Sequence, residues 1–318
     1  MMLILALLAA PPSTIQPTTL KTFGDWEVGC DNGRGCQAVG LSTTGSVDDL
    51  LRLVIKRDAV GRALPVLSAS DLPIGSYTLR IDGKPVGRIT SAAGLPFNRA
   101  LASALASGTT ASIDDAGGGT ADTASLKGLA AAFLYMDDQQ RRLGTRGALR
   151  RTGTLPDSRV PAPPPLPRVV RPATPRTPPR TVTPAQAARL IGRDNTQCTY
   201  ARGLPKPAAH RLDLRHSLVV IPHLCGNGAY NETSSVFVID QAGRTRRAVP
   251  DTVVNGDWDA RTRTLSSYAK GRGLGDCGVS QDYVWDGATL RLVRQAQLGE
   301  CRGGRDYITT WRAAVVSR

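Results

Sequence analysis

Few side chains in this 318-residue chain are equipped for chemistry. There are three histidines, His210, His216 and His223, and six cysteines, Cys30, Cys36, Cys198, Cys225, Cys277 and Cys301. A histidine acts as a base on a serine or cysteine only when folding brings the two within hydrogen-bond reach. No G-x-S-x-G elbow marks such a nucleophile. Asp257 and Asp259 flank Trp258. At spacing two on a strand they share a face and could do acid/base work, although such a pair is more often a solvated turn. The glycine-rich stretch 270–278 sets Gly271, Gly273, Gly275 and Gly278 among Arg272, Asp276 and Cys277. A dinucleotide site would need a helix after these glycines, its N-terminus holding the pyrophosphate. Residues 279–285 instead alternate like a strand, so the stretch reads as a shaped turn between strands at 265–269 and 279–285.

The cysteines speak for clasps rather than for metal. Zinc sites show paired C-x₂-C or H-x₃-H spacings. His216, His223 and Cys225 come nearest and fit poorly. Six cysteines allow fifteen pairings. The local choices are Cys30–Cys36, Cys198–Cys225 and Cys277–Cys301. Such bridges suit an oxidising compartment. Residues 3–10 are apolar, too short to span a bilayer, and resemble a signal-peptide core without a positive leader. The expected localisation is periplasmic or secreted, with no transmembrane span in the mature chain.

The formal charge of +14 divides as +3 in residues 1–155, +6 in 156–193 and +5 in 194–318. Attraction to anionic surfaces follows from such an excess; arginine-rich composition alone would also produce it. No basic helix carries a groove-reading pattern, which argues against nucleic acid.

The elements that must position these groups read as mainly β, a β-rich α+β arrangement. Residues 1–19 form the signal peptide and tail. Residues 20–155 form a β-rich domain with one or two helices. Within it, Asn32-Gly33 between two apolar-alternating runs predicts a hairpin, stapled by Cys30 and Cys36. Strands are expected at 51–56, 77–82, 86–89 and 109–113. Phe97, Leu101 and Leu105 mark a short helix. A second helix is expected from Ser125, as N-cap, to about Arg142, with Leu126, Leu129, Ala130, Phe133 and Leu134 as its apolar stripe. Residues 156–193 form a Pro/Arg-rich linker ending in a short helix from Thr183-Pro184. Its proline run favours extended polyproline II, with a reach of up to ~90 Å. Residues 194–318 form an antiparallel β domain with a buried strand at 217–221, hairpins around Gln241–Gly243 and Asp286-Gly287, and a last strand at 307–316.

Two resemblances follow from these residues. Phe23-Gly24-Asp25-Trp26 with Cys30-Asp31, then Ile81-Asp82-Gly83 and Ser125–Leu129, resemble the secreted invasion-associated locus B proteins, although this chain lacks the further cysteines of that pattern near Phe97. The second half is similar to the bacterial family DUF1176. That similarity rests on residues 269–278, Tyr283–Gly287, Leu290-Arg291-Leu292, Cys301-Arg302-Gly303 and Trp311-Arg312-Ala313. Members of that family share the Asp25-Trp26…Cys30-Asp31-Asn32 pattern, so the similarity covers both halves and skips the linker. It implies no particular activity.

The reading is therefore an uncharacterised exported protein that binds an envelope protein or anionic polymer and is not an enzyme. Its expected surface is Arg272, Asp276, Trp258 and Tyr268. No cofactor, metal or nucleic acid is expected, and oligomeric state is left open. The alternative is a hydrolase of envelope polymer using Asp257, Asp259 or His223.

Overall fold

The computed structural model describes residues 17–60, 65–70, 72–90, 93–115, 117–173, 176–192, 203–225 and 227–318. The signal-like segment 3–10 and Cys198, with its expected clasp to Cys225, lie outside them. The fold is mainly β, built mostly from antiparallel sheets, as the alternating patterns predicted.

In chain order, the first half carries β1 (Lys21–Phe23), β2 (Trp26–Cys30), β3 (Cys36–Gly40), β4 (Arg52–Arg57), β5 (Val66–Ser70), β6 (Ser76–Ile81), β7 (Lys84–Thr90) and β8 (Leu95–Pro96). Then come α1 (Arg99–Ser107), β9 (Thr110–Asp114), β10 (Thr120–Ser125) and α2 (Leu129–Gln139). One sheet runs β1-β2-β3-β4-β5-β8 and the other β10-β9-β6-β7. The stapled hairpin is present: β2 and β3 pair antiparallel with Cys30 opposite Cys36 and a disulfide between them. Asp31 closes the turn by accepting the Gly33 and Gly35 N–H groups at 2.7 and 3.0 Å.

The helices differ from expectation in one respect. Asn98 caps α1 by accepting the Leu101 N–H, and Leu101 and Leu105 point inward as their spacing predicted. The second helix begins at Leu129, not Ser125. Ser125 is the end of β10, and its hydroxyl is drawn to Asp25 at 2.7 Å. Gly128 takes the N-cap position with φ 99°, and a Cβ there would lie 1.8 Å from the Phe23 carbonyl oxygen. The later start turns the buried face to Leu129, Ala132, Phe133 and Met136, and leaves Leu134 exposed. Burying each large apolar side chain on this face contributes about 1.5–3 kcal/mol. Phe133 meets Phe97 edge-on at 6.0 Å, joining the helices in one core with Trp26, Leu53 and Leu79.

The second half carries β11 (Arg168–Arg171), α3 (Pro184–Leu190), β12 (Ala208–Arg211), β13 (His216–Pro222), β14 (Thr233–Asp240), β15 (Thr245–Val254) and β16 (Asp257–Asp259). After these come β17 (Thr264–Lys270), β18 (Gly278–Trp285), β19 (Leu290–Leu298), β20 (Ile308–Arg312) and β21 (Ala314–Ser317). Sheets β12-β13-β14-β15 and β16-β17-β18-β19-β20 face each other. The uninterrupted apolar run on β13 is explained by cover on both faces. Leu218 and Val220 join Val236, Leu265 and Trp285 between the sheets. Val219 and Ile221 meet Val182, Ala187 and Ile191 of the α3 segment on the other side. Thr183 and Gln186 form a capping box at the start of α3, with Pro184 in its first turn.

The Pro/Arg-rich stretch is more than a spacer. Its β11 pairs in parallel with β21, and Val169 is buried against Val284 and Val293. Proline cannot continue a ladder, but Arg168–Arg171 is a four-residue window free of it. The expected single strand at 307–316 is consequently two. Its first part pairs with β19, and after Ala313 the chain moves to β11.

The two halves are packed together. Leu20, Val39, Val54 and Ile308 make a small shared core. Glu27 is buried on β2 and accepts the Gly299 N–H at 3.0 Å. Asn32 exchanges both side-chain hydrogen bonds with the Arg312 backbone.

Candidate functional site

The glycine-rich loop sits where the halves meet. Strands β17 and β18 flank it, as expected, and the Cys277–Cys301 disulfide ties it to the 299–304 turn. Gly278 has φ 139°, and a Cβ there would meet the Ala269 carbonyl oxygen at 2.2 Å, so only glycine fits. Arg272 donates from Nε to Asp276 at 2.7 Å and from Nη2 to the Gly45 carbonyl at 3.3 Å. Asp276 is buried and also accepts the Gly303 N–H at 2.7 Å. The Arg272 hydrogen bond, burial notwithstanding, holds the Asp276 carboxyl below the usual carboxylate range. Next to this pair, Arg302 donates to Asp25 and to the Ser42 carbonyl, both at 2.8 Å. The turn thus clasps the second half to residues 42–45 of the first.

Three of the four expected surface residues meet here. Tyr268 donates toward the Gly275 carbonyl at 2.8 Å and lies 2.8 Å from the Tyr307 hydroxyl. Burial, with Tyr268 beside it, pushes the Tyr307 hydroxyl well above its ordinary pKa. Trp258 belongs to a different cluster. It stacks on His210 with centroids 5.0 Å apart and packs against the inter-sheet core. Burial lowers the His210 pKa.

The other groups with possible chemistry are spoken for locally. His216 Nδ1 lies 3.0 Å from both Asp213 oxygens, and Trp285 Nε1 donates to Asp213 at 2.6 Å. Asp259 holds a turn by accepting from the Arg261 N–H and the Thr262 hydroxyl, while Asp257 is exposed. Folding brings one serine to a histidine: Ser235 Oγ lies 2.8 Å from His223 Nε2. Ser235 has no exposed surface, so its oxygen is closed to a substrate. Among the described residues, no three His, Cys, Asp or Glu side chains gather to hold a metal.

A feature that sequence reading missed lies in the first half. A cavity of about 330 Å³ opens between β4, α1 and the chain following α2. Among the described residues, Arg57, Arg99, Arg142, Arg146 and Arg150 line it, with Asp157 as the one carboxylate. Arg57 and Arg142 are buried, and Arg99, Arg146 and Arg150 are exposed at the rim. The buried pair is held from behind. Asp137 of α2 lies 3.1 Å from Arg57 Nη1 and accepts the Leu149 and Arg150 N–H groups at 2.9 Å. Burial, with the Arg142 charge beside it, pulls the Arg57 pKa down to about 10, so it stays a cation at neutral pH. The available signal was arginine density: Arg141, Arg142, Arg146, Arg150 and Arg151 fall within eleven residues. Arg57 lies 85 residues before Arg142, and no local pattern links them.

A mainly β, two-half architecture with a disulfide within each half is the class of molecule these observations define. Residues 20–314 match the family described as Protein of unknown function (DUF1176), and the chain belongs to that family. The match includes the Pro/Arg-rich stretch, which the motif resemblance had skipped. It does not carry the likeness of the first half to invasion-associated locus B proteins. The chain is also 27% identical over 329 residues to the uncharacterized protein YpfG of Escherichia coli (strain K12), covering 92% of both. No solved structure matches.

Proposed function

We propose that this chain is an exported envelope protein that binds an anionic partner without catalysing a reaction on it. The arginine-lined cavity carries this reading, because it converts a diffuse charge excess into one built, cationic recess. Two disulfides between described cysteines support an oxidising compartment. No described helix is long and apolar enough to cross a membrane. The 270–278 loop, through Arg272, Asp276 and Tyr268, shapes and fastens the scaffold and offers the partly exposed Arg272 to the partner as a second contact.

The test is capture from an envelope extract by the mature protein at low and high salt. Capture that falls with salt, and falls again in an Arg146→Gln/Arg150→Gln variant, is the expected result. Salt-independent capture, or capture untouched by the double variant, would remove the cavity from the account. A hydrolase reading would rest on the His223–Ser235 contact, whose serine is buried and would have to be uncovered. Hydrolysis of envelope polymer that disappears in Ser235→Ala would favour it over binding.

A further inference from the structure

We propose that the cavity is an end-on site for the oxyanion head, carboxylate or phosphate, of a small organic anion. The inference rests on the reading of the protein as an anion binder and gives that site its ligand chemistry.

Charge is the first argument. Among the described residues, five arginines and one carboxylate, Asp157, line the cavity, and Asp137 pairs with Arg57. Asp157 is itself engaged by the Gly147 N–H at 2.8 Å. Arg57 and Arg142 are buried and draw on the same two carboxylates, Asp137 and Asp157, and a buried charge is favourable only where opposite charge and hydrogen bonds meet it. Asp137 pairs with Arg57, yet burial, and after it the Arg142 charge, still lowers the Arg57 pKa. An anion in the recess would add a further counter-charge.

Unused donors are the second argument. Arg57 Nε is buried and has no hydrogen-bond partner among the described residues. The Arg146 and Arg150 side chains at the rim have none there either. Guanidinium forks match carboxylate and phosphate oxygens in pairs, a geometry a lysine ammonium cannot offer. The first turn of α1, starting at Arg99, adds its positive dipole end to the same rim.

Shape is the third. About 330 Å³ lies at the low end of small-molecule pockets. Its lining also includes the apolar Phe97, Ala102 and Leu149. A recess of this size lined by both arginines and apolar side chains fits a charged head on a short apolar body. It does not fit a polymer backbone passing through.

Isothermal titration of the full oxidised chain in a buffer free of oxyanions tests this. The probes are phenyl phosphate, benzoate, inorganic phosphate and benzyl alcohol. Phenyl phosphate or benzoate is expected to bind at one site per chain, at least about tenfold tighter than inorganic phosphate, and whichever of the two is tighter identifies the head group. Benzyl alcohol is expected to give no binding. Arg146→Gln/Arg150→Gln is expected to weaken the organic anion by about tenfold or more, while Arg244→Gln, on an exposed turn of the other half, leaves it unchanged. No saturable binding of either organic anion by the wild type would overturn the proposal, as would equal binding of benzyl alcohol. Envelope capture that persists when small anions do not bind would sink this inference and spare the broader reading. Small-anion binding without any envelope capture would do the reverse.

Discussion

Replacement of Asp137 by alanine should be among the most damaging single changes in the first half. Its carboxylate is fully buried and does three things at once: it pairs with Arg57 and accepts two backbone N–H groups, from Leu149 and Arg150. Truncation strands the Arg57 cation in the interior, which costs about 3–5 kcal/mol for a buried pair. It also leaves two N–H groups without acceptors, each costing about 1–3 kcal/mol. Even the low ends together come to about 5 kcal/mol, comparable to the whole stability of many domains. The same change frees the segment that carries Arg146 and Arg150, so the cavity loses its wall. A second substitution separates the contributions. Arg57→Met in the Asp137→Ala background removes the stranded charge and should recover about 3 kcal/mol, leaving the two N–H groups as the residual loss. Urea unfolding, with midpoint and slope read for both variants, gives the numbers. A loss below about 2 kcal/mol in Asp137→Ala would refute this reasoning. So would an absence of recovery in the double variant.

The acid limb of stability should show two carboxylates of opposite sign. Burial alone would raise the Asp25 pKa, but hydrogen bonds from Arg302 and Ser125 outweigh it and hold it below the usual range. Its contribution is therefore present above about pH 4 and lost as pH falls through its folded value, so wild type and Asp25→Asn should converge in acid. Burial raises Glu27, against the Gly299 and Glu300 N–H groups. Its contribution is present below about pH 4 and fades as pH rises through its folded value, so Glu27→Gln should gain on wild type toward neutrality. Urea midpoints between pH 3 and 7, measured for all three chains, check both signs. Replacing both members of a disulfide by serine should cost about 3.5 kcal/mol for Cys277–Cys301 and about 2.4 kcal/mol for Cys30–Cys36, from the entropy of the loops they close. Their sequence separations are 24 and 6, and the reverse order in urea would contradict this. Gly128→Ala should leave little soluble protein, because its Cβ would sit 1.8 Å from the Phe23 carbonyl oxygen, and ordinary expression would contradict the tight approach.

Local rules made most of the fold legible. Asn32-Gly33 announced the β2–β3 hairpin, and Thr183-Pro184 announced α3, because turns and caps are written in a few adjacent residues. Strand β11 was hidden because prolines surround its four residues and its partner, β21, lies at the far end of the chain. Ser125 looked like a helix cap because a serine before an apolar run usually is one. What competes for it is Asp25, one hundred residues earlier. The expected binding loop was correctly seen as a turn held by Cys277. Its engagement with Gly45, and that of the neighbouring Arg302 with Ser42, could not be read from spacing, since those contacts join positions more than two hundred residues apart. The cavity escaped for the same reason. Arginines dispersed over β4, α1 and the segment after α2 look like surface charge until the fold converges them.

The most direct test of the account is an amide-resolved nuclear magnetic resonance titration of the full chain with phenyl phosphate. The account predicts saturable shifts confined to Arg57, Arg99 and residues 142–150. Shifts centred on the 270–278 loop, or spread evenly over surface arginines, would contradict it.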